Sequence, residues 1–307
     1  MPKWNGKPAK LLTLVAPLLL WSHPAFAHHE AIFGPHSSSL FGAPLFVSAQ
    51  LFTVRSGVAP KPNQESTGIV SFGWSPRNFP LSFAAVVPVS YATEGGGRAA
   101  VEDALLGVRY RYDLTGLQQR TGADGNFVTV VGGVEFPTGN AEHPAFRGPL
   151  DTVAAALLAL ERPPFSGIAY AYQRFNGHDS DGARAGNLTF AGLGLAYTPW
   201  DEPATERLFS LQLGAVWERT GAAVVPLNAP AGLAGGTAIM LQPTLVAGIG
   251  GHVLLFLTAG APLAQQFADG EQTKLWRAGL GAVWLLGHED AVPHEHGHDH
   301  GHDHGGL

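Results

Sequence analysis

Apolar and polar residues alternate with a period of two along most of the chain, the pattern of strands that show a different environment to each face. In ALLGVRYRYD, Ala104, Leu106, Val108, Tyr110 and Tyr112 share one face, while Gly107, Arg109, Arg111 and Asp113 share the other. LSFAAVVPVSY places Leu81, Phe83, Ala85, Val87, Val89 and Tyr91 together, against a mixed set of Ser82, Ala84, Val86, Pro88 and Ser90. The same phase returns with Phe209, Leu211, Leu213, Ala215 and Trp217 against Ser210, Gln212, Gly214 and Glu218. It appears again with Trp276, Ala278, Leu280, Ala282, Trp284 and Leu286 opposite Arg277, Gly279 and Gly281.

Extended over the chain, this pattern predicts strands near 45–54, 66–75, 81–91, 102–113, 126–136, 152–161, 165–175, 188–198, 207–218, 237–249, 252–262 and 274–286. That is an even count, about twelve. The segment TVAAALLALE suits a helix nearly as well as a strand, although another strand begins a few residues later. Connections after odd-numbered strands (55–65, 92–101, 137–151, 176–187, 219–236, 263–273) are long, and those after even-numbered strands are mostly short, with 114–125 the exception. Outer-membrane barrels combine an even strand number with short periplasmic turns and longer outside loops. Most of these strands have the length that a tilted membrane crossing needs, about 9–11 residues, whereas soluble sandwiches average nearer five or six. Tyr91, Tyr110, Tyr112, Tyr172, Trp217, Trp276 and Trp284 lie towards strand ends, where interfacial aromatic girdles belong. The expected fold is therefore all-β: a transmembrane antiparallel up-and-down barrel of about twelve strands over residues 45–287, with both termini periplasmic.

Composition sharpens this choice. Only 14% of residues are charged, well below the roughly 25% of soluble domains, yet past residue 27 no apolar run approaches the ~18 residues of a membrane helix. The opening segment, MPKWNGKPAKLLTLVAPLLLWSHPAFA, has lysines, an apolar run and a closing Ala25-Phe26-Ala27, the order of a secretory signal peptide spanning 1–27. It carries three of the 18 basic residues, so the remainder is strongly acidic (24 Asp and Glu) and has no basic stripe, which argues against a nucleic-acid partner. With no cysteine, stability must come from burial, sheet closure or metal.

Certain words in the chain carry a family resemblance. GVEFPTG (133–139), IAYAYQRFNG (168–177) and LTAGAPLAQQFADGEQ followed by a strand ending in aromatics resemble the bacterial outer-membrane family labelled putative MetA-pathway of phenol degradation, often called simply transporter. The resemblance covers roughly residues 40–287 and implies an outer-membrane barrel, plausibly a channel. Barrels of this kind commonly end on a terminal aromatic, whereas here 23 residues follow Trp284, so the tail is an appendage to the barrel.

That tail, 288–307, holds His294, His296, His298, His300, His302 and His304, interleaved with Glu295, Asp299 and Asp303. Imidazole suits zinc, copper and nickel, and neighbouring carboxylates complete or neutralise a site. Glycine-rich spacing preorganises no single cage, so weak multi-site binding is expected; a solvated tail that chelates incidentally is the plainer alternative. His28, His29 and His36 form a second group in an N-terminal arm, 28–44, on the same predicted periplasmic side. No cofactor is required.

Arg109, Arg111, Glu135, Gln173, Gln212, Glu218 and Arg277 fall on the less apolar faces of their strands and are expected to line the lumen, as charge rings of a pore or as ion pairs filling a narrow one. Enzymatic readings are weak. His294–His298 formally matches H-E-x-x-H without the helix that motif needs, and NGHDSDG (176–182) lacks the ligand positions of a calcium loop. The expected function is an outer-membrane channel or transporter for small solutes or metal ions, in contact with lipid and divalent cations. A metal-sequestering protein on a non-conducting β scaffold is the alternative.

Overall fold

The computed structural model describes residues 45–57, 63–76, 80–92, 98–114, 126–138, 150–162, 164–178, 182–202, 207–224, 235–250, 252–267 and 273–286. The expected signal segment (1–27), the N-terminal arm (28–44) and the His-rich tail (288–307) all lie outside these residues.

Thirteen strands run in chain order: β1 (Leu45–Ser56), β2 (Asn63–Trp74), β3 (Leu81–Ala92), β4 (Arg98–Val101), β5 (Ala104–Asp113), β6 (Phe127–Phe136), β7 (Asp151–Arg162), β8 (Phe165–Phe175), β9 (Leu188–Glu202), β10 (Arg207–Thr220), β11 (Gly236–Ile249), β12 (Val253–Phe267) and β13 (Lys274–Leu286). Each pairs antiparallel with its sequence neighbour, and β1 pairs with β13, closing the sheet. β4 and β5 both pair with β3 and act as one strand broken at Glu102–Asp103, so the wall has the expected twelve staves. TVAAALLALE is a strand, because in a closed sheet β6 and β8 supply both of its hydrogen-bonding edges. Leu45 lies opposite Leu286, so the described chain begins and ends at one rim, here the terminal rim. The far rim carries the connections 137–150, 176–187 and 221–235; 114–126 is the long exception at the terminal rim.

Four prolines interrupt these strands, and each stands where the ladder slips or its pairing lapses. Proline has no N–H to give, and a closed barrel has no edge on which to hide that loss. Pro88 is level with the β4–β5 break, and Pro199 lies inside the shift between β9 and β10. Pro262 marks the shift between β11 and β12, and Pro243 sits in the gap where their pairing lapses between Leu241↔Ala261 and Thr244↔Thr258.

The outer face is an apolar belt, with Leu195 74%, Leu257 53%, Leu213 53% and Val108 42% exposed among many others. Among the described residues no helix is long and apolar enough to cross a membrane. Tyr91, Tyr110, Tyr112, Trp217 and Trp284 join this face. Tyr172 does not: it is 2% exposed and points into the lumen, where its ring packs against Phe190.

Candidate functional site: a layered lumen

The inward residues form three layers. In the middle, Phe52, Ile69, Val86, Leu105, Val131, Val153, Tyr172, Leu188, Phe190, Val216, Val246 and Phe256 make one continuous apolar cluster, drawn from every stave except β13. At this level β13 offers Gly279 and Gly281, and neighbouring rings take the space. A Cβ on Gly279 would stand 2.4 Å from a Phe52 ring atom, and one on Gly281 2.5 Å from Phe256. The middle of the lumen is filled by side chains.

Towards the terminal rim, Arg109 and Arg111 project inwards from β5, as the alternation predicts. The Arg109 guanidinium lies over the Phe46 ring at 5.5 Å and donates from Nε to Ser82 Oγ at 3.1 Å; Arg111 lies over Phe127 at 4.0 Å. Stacking a weakly hydrated guanidinium on an aromatic face is a favourable way to hold a cation out of water. Gln212 also faces inwards on this side, and its buried Oε1 has no hydrogen-bond partner among the described residues.

The far-rim layer is ionic. One group joins Arg174 on β8 to Asp151 on β7 at 2.6 Å and to Glu135 on β6 at 2.8 Å, while Asp151 also accepts from the Gly177 backbone N–H at 2.8 Å. In the other, Glu218 on β10 takes Arg277 Nη1 at 2.5 Å and Lys274 Nζ, while Arg277 Nη2 donates to Gln242 on β11. These groups are almost wholly buried: side-chain exposures are 2% for Glu218, 10% for Lys274 and 9% for Arg277. Glu65 on β2 and Glu102 complete the layer, both buried and near enough for their charges to interact.

Of the seven residues expected in the lumen, Arg109, Arg111, Glu135, Gln212, Glu218 and Arg277 face inwards, and the fold divides these six between two layers. Gln173 is a correction. It shares the outward face with Ala154, its partner on β7, and is satisfied at the far rim by the Thr189 hydroxyl at 2.7 Å and by donating to the Arg174 carbonyl at 2.9 Å.

Regular alternation does not place Lys274 in the lumen beside Arg277, and the reason it enters is local. Arg55 pairs with Trp276 and Ser56 with Lys274, leaving Leu275 as an extra residue in β13. Such a bulge resets the alternation, so Lys274 and Arg277, three apart, enter the lumen together. Among the described residues no group of three or more His, Cys, Asp or Glu is arranged to hold a metal; the histidines proposed as ligands, His28, His29, His36 and His294 to His304, lie outside them.

No family model matches the chain, and no curated protein matches it, so the family label taken from GVEFPTG and its companion words rests on those words alone. Solved structures do resemble it. The COG4313 outer membrane channel from Pseudomonas putida F1 superposes with a TM-score of 0.61 at 12% identity, covering 79% of this chain and 95% of that one. The beta domain of the Bordetella autotransporter BrkA follows at 0.48 and 13%, covering 79% and 100%, and the KdgM porin in complex with disordered oligogalacturonate at 0.45 and 8%, covering 78% and 98%. The fold is that of an outer-membrane β-barrel.

Proposed function

We propose that this protein is a bacterial outer-membrane channel for small solutes or metal ions, with both termini periplasmic and no covalent chemistry. The observation that carries it is the placement of charged side chains inside the barrel: Glu135, Asp151, Arg174, Glu218, Lys274 and Arg277 are directed into the lumen, away from the apolar outer face, and serve no lipid contact. The fold shared with an outer membrane channel supports the same reading. The His-rich tail and the N-terminal arm supply metal-binding segments beside the terminal rim, for zinc, copper or nickel.

Planar-bilayer recording of the refolded chain from His28 onward, with and without micromolar zinc, tests this, compared against a chain ended after His288. Conductance steps in both, altered by zinc only when the tail is present, support the full reading. Folded protein that passes no current while its tail binds zinc supports the alternative, a metal-sequestering tail on a closed scaffold. That alternative draws its support from the filled middle layer.

A further inference from the structure

The inner wall is hollowed on the terminal side of the apolar layer, across β7 to β10. Glu161 pairs with Ser166, Ser166 with Ala196 and Ala196 with Gln212, so these four inward residues form one row across four staves. The next row, one step deeper, is Ala159, Ile168, Gly194 and Gly214. Gln212 and Gly214 share the parity of buried Val216 and Glu218, while Leu195 and Leu213 between the rows are exposed on the outer face. Ile168 leans over Gly194, where a Cβ would stand 2.9 Å from its Cγ2, but a Cβ on Gly214 would meet nothing nearer than 3.6 Å, so the space above it is unfilled. The two rows line a cavity of about 50 Å³. One water needs about 10–15 Å³ of such space, so the cavity takes about three to five waters, or one solute of as many non-hydrogen atoms.

The hydrogen-bonding groups on offer here are neutral. Glu161 is already partnered, which leaves the Ser166 hydroxyl and the Gln212 amide, on strands about 10 Å apart with Ala196 between them. Gln212 Oε1 is buried with no hydrogen-bond partner among the described residues, an unfavourable state for an amide in a poorly hydrated wall. An amide side chain carries an acceptor and two donors in one plane. Turned into the cavity, it meets its complement in a molecule with the same pair, whose N–H donates to Oε1 and whose carbonyl accepts from Nε2. A hydrocarbon of this size leaves the amide unsatisfied, and a bare ion exchanges full hydration for two neutral groups.

We infer that this cavity binds small uncharged molecules carrying an adjacent N–H donor and carbonyl acceptor, the class of primary amides and ureas, held by Gln212 and Ser166 above Gly194 and Gly214. As the solute class of the channel this rests on the channel reading; as a binding site it does not.

Amide NMR spectra of the refolded full mature chain in detergent micelles, titrated with acetamide and in parallel with acetone, test the site. Acetamide is expected to shift the Gly194 and Gly214 backbone amides and the Gln212 side-chain amide saturably, and acetone, of the same size but without an N–H, to bind about tenfold more weakly or worse. Gln212→Leu removes the amide and Gly214→Ala occupies part of the cavity; each is expected to weaken acetamide binding by about tenfold or more in protein whose folding is verified by heat-modifiable gel mobility. Shifts that do not saturate, that spread evenly over the barrel, or that survive both substitutions overturn the site and leave the channel reading to the planar-bilayer recording. Saturable binding to folded protein that passes no current supports the site and removes the channel reading alone.

Discussion

Replacing Glu218 by Ala asks whether the far-rim lumen is dry. The carboxylate accepts from Lys274 at one oxygen and from Arg277 at the other, and it is only 2% exposed, so its removal leaves two cations facing each other with little water to take its place. Breaking a buried ion pair on one side costs about 3–5 kcal/mol, because the orphaned charge keeps its desolvation penalty. The same pair in a hydrated vestibule contributes below about 1 kcal/mol. Equilibrium urea unfolding of the refolded barrel in lipid vesicles, followed by tryptophan emission, measures the difference. Adding Lys274→Ala to Glu218→Ala is expected to recover part of the loss, since it removes one of the two uncompensated charges, and the double-mutant cycle isolates the coupling. A loss below about 1 kcal/mol for Glu218→Ala would refute the dry-lumen argument, and the ionic layer would then be a water-filled ring.

Other consequences follow from the wall. At Gly73 a Cβ would meet the Phe46 ring at 1.8 Å, so Gly73→Ala is expected to destabilise by about 1–3 kcal/mol, whereas Gly132→Ala, with nothing within 4 Å, stays within about 0.5 kcal/mol in the same urea titration. Leu257→Arg, on the lipid face, is expected to cost about 2–4 kcal/mol in vesicles if position 257 lies near the bilayer midplane, and a neutral result would remove it from the lipid belt. Phe256→Ala removes a ring from the apolar layer that fills the lumen; larger single-channel conductance is expected, and unchanged conductance would place the constriction elsewhere.

Much of this arrangement is legible in the sequence, because period-2 alternation fixes which face a residue joins wherever the ladder is regular. Arg109 and Arg111 are separated from Tyr110 and Tyr112 by parity alone, and the fold keeps that separation. Parity fails where regularity does. Leu275 inserts one residue and brings in Lys274, which no strict alternation admits beside Arg277. Nearness to a strand end suggests the girdle for Tyr172, whereas the parity it shares with Arg174 puts it in the lumen and Gln173, between them, on the outer face. Asp151 begins β7 one residue before the predicted strand, so its pairing with Arg174 has no mark in the sequence. The ring-on-glycine contacts are likewise silent, since they depend on cross-strand register, which single-strand patterns do not encode.

The four ladder irregularities at Pro88, Pro199, Pro243 and Pro262, three shifts and one lapse in pairing, bear on the mechanics of the wall. A sheet hydrogen-bonded at every residue is a stiff tube, and its cross-section resists change. Each slip removes a rung and leaves a joint that bends at lower cost than its surroundings. Three of the four lie on or between β9 and β12, the sector that also carries Glu218 and Gln242, the acceptors of Arg277. Compliance is therefore concentrated on one side of the tube. Amide exchange is expected to be fastest beside these joints, and any widening of the lumen would begin as an ovalisation of that flank rather than a uniform dilation.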